Sequence, residues 1–167
     1  MNTSLEEQFL KTYEDLSDAI FRHCWFRVYD REKAKDLMQE TFIKTWEYIS
    51  EKGPIDNMKA FIYKVANNLI IDYSRKKKES SLEKLMEDGF DPGFDNRESL
   101  NNFLEGKEAV KLMDKLGPEY KEVIIMRHID DLPVKEIAQI LNESENVVSV
   151  RIHRGLAKLR ELLENNG

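Results

Sequence analysis

Apolar residues recur at helical spacing along most of this chain. Leu5, Phe9, Tyr13, Leu16, Ile20 and Cys24 or Trp25 mark one amphipathic stretch over residues 5–28, because positions three and four apart share a helix face. Ala34, Leu37, Met38, Thr41, Phe42, Thr45 and Trp46 mark a second over 31–49, with Asp30 placed to cap it and Gly53-Pro54 placed to end it. A third, over 58–77, has two characters. Phe61, Ile62, Val65, Leu69 and Ile70 suit a core, whereas Tyr63, Lys64, Asn67, Asn68, Asp72, Tyr73 and Arg75 cannot all join them.

Further along, Val134, Ile137, Ala138 and Leu141 give the stripe of a short helix. Asn142-Glu143-Ser144 follows as a tight turn: Asn142 tolerates a left-handed backbone, and the Ser144 hydroxyl can cap what comes next. The next helix, over 145–163, turns Val148, Ile152, Leu156, Leu159 and Leu163 inward and Arg151, His153, Arg154, Lys158 and Arg160 outward. Two helices joined by three residues, the second one basic, suit a helix-turn-helix whose second helix enters a major groove. The same pattern also fits a helical hairpin with a solvated basic face.

Between these stretches, Ser80-Ser81, Asp88-Gly89, Asp91-Pro92-Gly93 and Gly106 punctuate a linker that also carries Phe90, Phe94, Leu100, Phe103 and Leu104. The expected fold is therefore all-α, with two small helical domains, 1–78 and 107–167, joined by an acidic flexible linker over 79–106. Such a linker spans about 30 Å as a coil and at most about 90 Å extended. The halves can close on each other or reach separate sites.

Charge alters the picture by where it lies. The net charge of −6 comes from 79–106, which holds 8 acidic and 2 basic side chains, while the two halves are near balance. Phosphate neutralisation supplies much of the free energy of duplex binding, so affinity for free DNA should be weak and a partner needed. Charged residues make up 35% of the chain and the mean hydropathy is −0.60. No apolar run approaches the length of a membrane span, and MNTSLEEQFL lacks the basic and apolar segments of a signal peptide. The expected location is the cytoplasm.

Cys24 is the only cysteine, which excludes an internal disulfide. His23, His128 and His153 are scattered without metal-ligand spacing, and no glycine belongs to a phosphate-binding loop. No metal, cofactor, small-molecule substrate or enzymatic activity is expected. Rings interleaved with Lys, Arg and Asn over 58–77, ending in Arg75-Lys76-Lys77-Lys78, suit a strand of unpaired bases that stack on aromatics while cations take phosphates. A core helix whose basic end complements its own dipole is the alternative.

The run from Asp36 to Trp46, followed by that from Ala60 to Tyr73, resembles the promoter-melting region of bacterial RNA polymerase sigma factors. Leu116-Gly117-Pro118-Glu119-Tyr120, Glu136 to Leu141, Arg151-Ile152-His153-Arg154 and Leu159-Arg160 resemble the same family's second DNA-binding region. With a linker between them and no third domain, the chain is similar to the extracytoplasmic-function group of the sigma-70 family.

The resemblance implies a factor that binds core RNA polymerase, through the clamp of the largest subunit and the flap of the second-largest, and directs promoter-specific initiation. It places Asp36, Leu37, Gln39, Glu40 and Phe42 on the clamp. Tyr63, Lys64, Asn67, Asn68, Arg75, Lys76 and Lys77 then meet the melted minus-ten element, and Ser144, Asn146, Ser149, Val150, His153, Arg154 and Lys158 the minus-thirty-five element. It further implies an anti-sigma factor as restraint. Two other readings of the pattern are a stand-alone helix-turn-helix regulator and a protein whose basic helices bind an acidic partner rather than DNA.

Overall fold

A computed structural model of the chain describes residues 4–87 and 112–165, with side chains over 4–77 and 112–165. Among these residues the architecture is helical throughout: α1 (Leu5–Val28), α2 (Arg31–Lys52), α3 (Met58–Glu87), α4 (Pro118–Ile124) running into a π-helical segment (Ile125–Ile129), α5 (Val134–Leu141) and α6 (Glu145–Asn165).

Local chemistry fixes most of the ends. Ser4 and Glu7 form a capping box at the start of α1, the Glu7 N–H donating to Ser4 Oγ at 3.1 Å and the Ser4 N–H to Glu7 Oε2 at 3.3 Å. Tyr29 closes α1 in the left-handed region at φ 55°, and Asp30 caps α2 by accepting from the Lys33 N–H. Gly53, at φ 90°, ends α2 where an L side chain would be strained. Asn57 caps α3 through the Ala60 N–H.

Helix α3 continues ten residues beyond the expected end at Lys77, to Glu87, so the first part of the presumed linker is helical. Leu82, Glu83, Lys84 and Leu85 are good helix formers, and the first glycine comes only at Gly89. The remainder of the 79–106 linker lies outside the described residues.

Instead of two separate small cores, the halves share one. Ile20, Cys24, Ile62, Tyr63, Ala66 and Ile70 from the first three helices pack in the same cluster as Val123, Met126, Leu132, Ile137 and Val148 from the C-terminal half. Small helical halves bury a limited fraction of their surface alone, so packing them together adds interior to each, and each fully buried aliphatic side chain contributes about 1.5–3 kcal/mol. A second cluster places Met113, Leu116, Ile124 and Ile125 against Leu156, Leu159 and Leu162 of α6 and Phe26 and Tyr29 of α1. Leu162 thus takes the inward place expected of Leu163, which is 46% exposed.

Candidate nucleic-acid interfaces

Helix α6 presents the first surface. Asn142 turns the chain at φ 55°, and Ser144 Oγ accepts from the Val147 N–H at 3.1 Å, which starts α6 and sets its rotation. Val148 and Gly155 are buried on the inner side, where Gly155 lets α6 approach α4: a Cβ there would come within 2.8 Å of Ile124 Cδ1 and 3.3 Å of Tyr120 Cβ. On the other side Ser144, Asn146, Ser149, Val150, His153, Arg154 and Lys158 are all exposed. The structure brings every residue of that expected set to solvent. Arg151, by contrast, is half-buried and donates to Glu143 across the turn at 3.1 Å, bracing the two helices.

Helix α3 presents the second. Lys64, Asn68, Ile71 and Arg75 form an exposed stripe, with Lys76 and Lys77 also in solvent. Asp72 holds two of these cations, with Arg75 Nη2 at 2.5 Å and Lys76 Nζ at 3.2 Å, and the Lys76 hydrogen bond keeps its carboxyl below the ordinary range. Lys77 lies over the Tyr73 ring, 6.0 Å from its centroid. Tyr63 and Asn67 depart from the expectation of a single DNA-facing set. They are 1% and 4% exposed, because they sit on the adjacent flank of α3, about a quarter-turn from that stripe, where the C-terminal half packs.

Helix α2 presents the third. Asp36, Gln39 and Glu40 are exposed, and Ile43, 57% exposed, extends the same face one turn on. Leu37 and Phe42 do not lie on this surface. Leu37 faces the core, and the Phe42 ring is held edge-on by Phe9 and Tyr13 of α1 at 6.3 and 4.9 Å. They support the α2 surface from beneath.

With this geometry in place, the comparisons with known proteins are specific. Residues 12–80 match the sigma-70 region 2 family and residues 107–159 match sigma-70 region 4. The extracytoplasmic-function sigma factor SigW of Bacillus subtilis is 30% identical over 96% of this chain and 91% of its own length. The chain belongs to the extracytoplasmic-function group of the sigma-70 family. The sigma factor SigV of the same organism is 28% identical over 87% of this chain and 85% of its own. The fold of the sigma factor is similar to CnrH in complex with the cytosolic domain of CnrY, with a TM-score of 0.75 at 21% identity, covering 97% of this chain and 91% of that one. Membership decides among the three readings of the pattern: this sigma factor acts in promoter-specific transcription initiation, with core RNA polymerase and promoter DNA as its partners.

Between its halves, the sigma factor carries a polar seam that sequence reasoning missed. Arg27 Nη1 donates to Asn67 Oδ1 at 2.8 Å, and Asn67 Nδ2 donates to Glu122 Oε1 at 2.6 Å. His23 Nδ1 meets Asp130 Oδ2 at 2.5 Å, with both side chains fully buried, and the Tyr63 ring stands edge-on to the imidazole at 5.4 Å. Asp130 is delivered there by the π-helical segment, whose wider turn closes with the Asp130 N–H donating to Ile125 O at 2.9 Å. Burial pulls the Arg27 guanidinium below its ordinary value, and Glu122 and then Asp130 oppose that shift. Burial, reinforced by Asp130, pushes the Tyr63 phenol up. One signal could have revealed the seam: His23 and Arg27 lie one turn apart on the face of α1 that also carries Ile20 and Cys24, and polar groups on an apolar stripe need partners.

No group of His, Cys, Asp and Glu suited to a metal occurs among the described residues, and no described helix is long and apolar enough to cross a membrane.

Proposed function

We propose that the sigma factor reads the minus-thirty-five element with the outer face of α6 and captures the melted minus-ten strand on α3. The observation that carries this reading is the α6 surface: a Ser144-capped turn sets the helix so that Asn146, Ser149, Val150, His153, Arg154 and Lys158 all face solvent while Val148 and Gly155 anchor its back. That face offers hydroxyl, imidazole, guanidinium and methyl groups, the chemistry that contacts base edges in a major groove. Along α3, Lys64, Asn68 and the Arg75–Lys77 run are positioned to hold phosphates and an unstacked base. Tyr63 and Asn67 join them once the C-terminal half moves away.

In this reading, Asp36, Gln39 and Glu40 of α2 dock on the polymerase clamp, with Leu37 and Phe42 fixing the helix behind them, and the C-terminal half meets the flap. The protein works in the cytoplasm without catalytic activity of its own, and an anti-sigma factor restrains it. The restraint is supported by the solved relatives of similar fold, which include the sigma factor RpoE in complex with the anti-sigma factor NepR from Bartonella quintana, with a TM-score of 0.71 at 20% identity. Transcription from a cognate promoter by core polymerase, with and without this protein, is the deciding experiment. Absence of promoter-specific transcripts overturns the reading.

A further inference from the structure

Most of the polar contacts that close the two halves share one polarity, the exception being Lys121 of the C-terminal half over the Tyr29 ring of α1 at 4.7 Å. Asn57 Nδ2 donates to Gln139 Oε1 at 2.9 Å, Asn67 Nδ2 donates to Glu122 Oε1, Lys59 Nζ lies 3.5 Å from Glu136 Oε2, and His23 faces Asp130. In each case the N-terminal half supplies the donor or cation and the C-terminal half the acceptor or acid. Arg27 stands behind Asn67 as a further cation on the donor side. A face of cations, amides and an aromatic ring, covered by carboxylates, has the complementarity of a single-stranded nucleic acid site.

The seam is also imperfect as a permanent joint. Among the described residues, His23 Nε2 and Asp130 Oδ1 are buried without a hydrogen-bond partner, and Glu136 Oε2 has only its ion pair to Lys59. Buried polar atoms of this kind weaken an interface that the shared apolar core otherwise holds together. On the donor face only His23 Nε2, among the described residues, is left without a partner, while the other two atoms belong to acids of the C-terminal half, so the mismatch lies on both sides of the seam.

We propose that Glu122, Asp130 and Glu136 act as an internal acidic plug that imitates nucleic acid, and that the face they cover, centred on Arg27 and Asn67, binds a phosphate and an unstacked base of single-stranded DNA when the halves separate. The proposal rests on the strand-capture reading of α3 and extends it to α1. Closure then has a direct consequence for function. Both ends of the Asn67 amide are engaged, by Arg27 and by Glu122, so the closed protein cannot offer that amide to a base. A binding site hidden in this way lowers the apparent affinity by the fraction of open molecules.

The test uses the full chain and a fluorescently labelled single-stranded oligonucleotide carrying the non-template minus-ten sequence, followed by anisotropy. Glu122→Gln with Asp130→Asn removes two charges of the plug and is expected to raise affinity by about tenfold or more, with a larger radius of gyration in small-angle scattering. Glu136→Lys, which sets a cation against Lys59 at a partly exposed position, should produce the same two changes without altering a fully buried side chain. Adding Arg27→Gln to either background should abolish the gain.

Unchanged affinity and unchanged dimensions in both released variants overturn the plug. A gain that survives Arg27→Gln overturns the binding face. Asn68→Ala, measured in parallel for promoter opening, separates the layers: if it impairs opening while the released variants gain nothing, strand capture on α3 stands and the plug alone fails. If Asn68→Ala has no effect on opening, the strand-capture reading itself fails.

Discussion

His23 and Asp130, 107 residues apart in sequence, meet with both side chains withdrawn from solvent, and their contact ties α1 to the π-helical segment. A carboxylate in this position is tolerable only while its partner stays. We expect His23→Leu to destabilise the fold by about 3–5 kcal/mol, because it strands the Asp130 carboxylate, whereas replacing both residues with apolar ones should cost much less. Urea denaturation of the two variants checks this. Equal losses would show that Asp130 is solvated in the folded protein.

Neighbouring amides on α3 should behave oppositely. Asn68 is exposed, so Asn68→Ala should leave stability within about 0.5 kcal/mol of wild type yet impair formation of the open complex. A template already melted at the upstream edge of the bubble should relieve that defect, as read by permanganate footprinting. Asn67 bridges Arg27 and Glu122, so Asn67→Ala should lose about 1–3 kcal/mol of stability by leaving buried polar groups unpaired.

Groove reading on α6 predicts a different split. Arg154→Ala should weaken promoter binding by about 1–3 kcal/mol and relax preference at one upstream position if the guanidinium bonds a guanine edge; a phosphate contact weakens all promoters alike. Val150, 37% exposed on the same helix, carries methyl groups suited to a thymine. Val150→Ser should change base preference more than affinity. A randomised minus-thirty-five library transcribed with each variant measures both effects.

The α2 surface separates binding from support. Asp36→Ala with Glu40→Ala should weaken the complex with core polymerase while circular dichroism and melting remain unchanged. Leu37→Ala, which removes a buried side chain from beneath that face, should cost about 2–5 kcal/mol in stability. Pull-down with core polymerase, compared with thermal melting, distinguishes the two kinds of residue.

Burial pushes the Cys24 thiol up from 9.0 to about 12, and the side chain is fully enclosed. The native thiol should resist alkylation at mildly alkaline pH and react once denatured, since the thiolate is the nucleophile. The unfolded chain releases the thiol proton from its ordinary value upward, whereas the folded protein retains it until the raised one. The Cys24 contribution to stability is therefore fully present below about 9 and declines as pH rises towards about 12. A Cys24→Ala variant should show a shallower fall in stability across that window in denaturation curves.

The sequence by itself determined what depends on near neighbours along the chain. Ser4 with Glu7, Asp30, Gly53, Asn142 and Ser144 set helix ends through bonds and backbone angles spanning only a few residues. Once Ser144 starts α6, a period of 3.6 residues dictates that Val148 and Gly155 turn inward while Ser149, His153 and Arg154 turn outward. For that reason the exposure of the α6 set was legible, apart from Arg151, which bonds Glu143 and is half-buried, and Leu163, which is exposed where Leu162 packs inward. Helix α3 was not, because its pattern mixes an apolar stripe with two polar ones. Periodicity cannot say which polar stripe will be covered until a second body packs against it. Only the tertiary structure put Asn67 under Glu122 and left Asn68 in solvent. It alone brought Ile20 and Tyr63 of the first half into one cluster with Met126 and Ile137 of the second, because contacts between the halves follow no local period. The His23–Asp130 pair depends on that packing and on the π-helical turn that aims Asp130 inward, and both arise from contacts far longer in sequence than any local pattern.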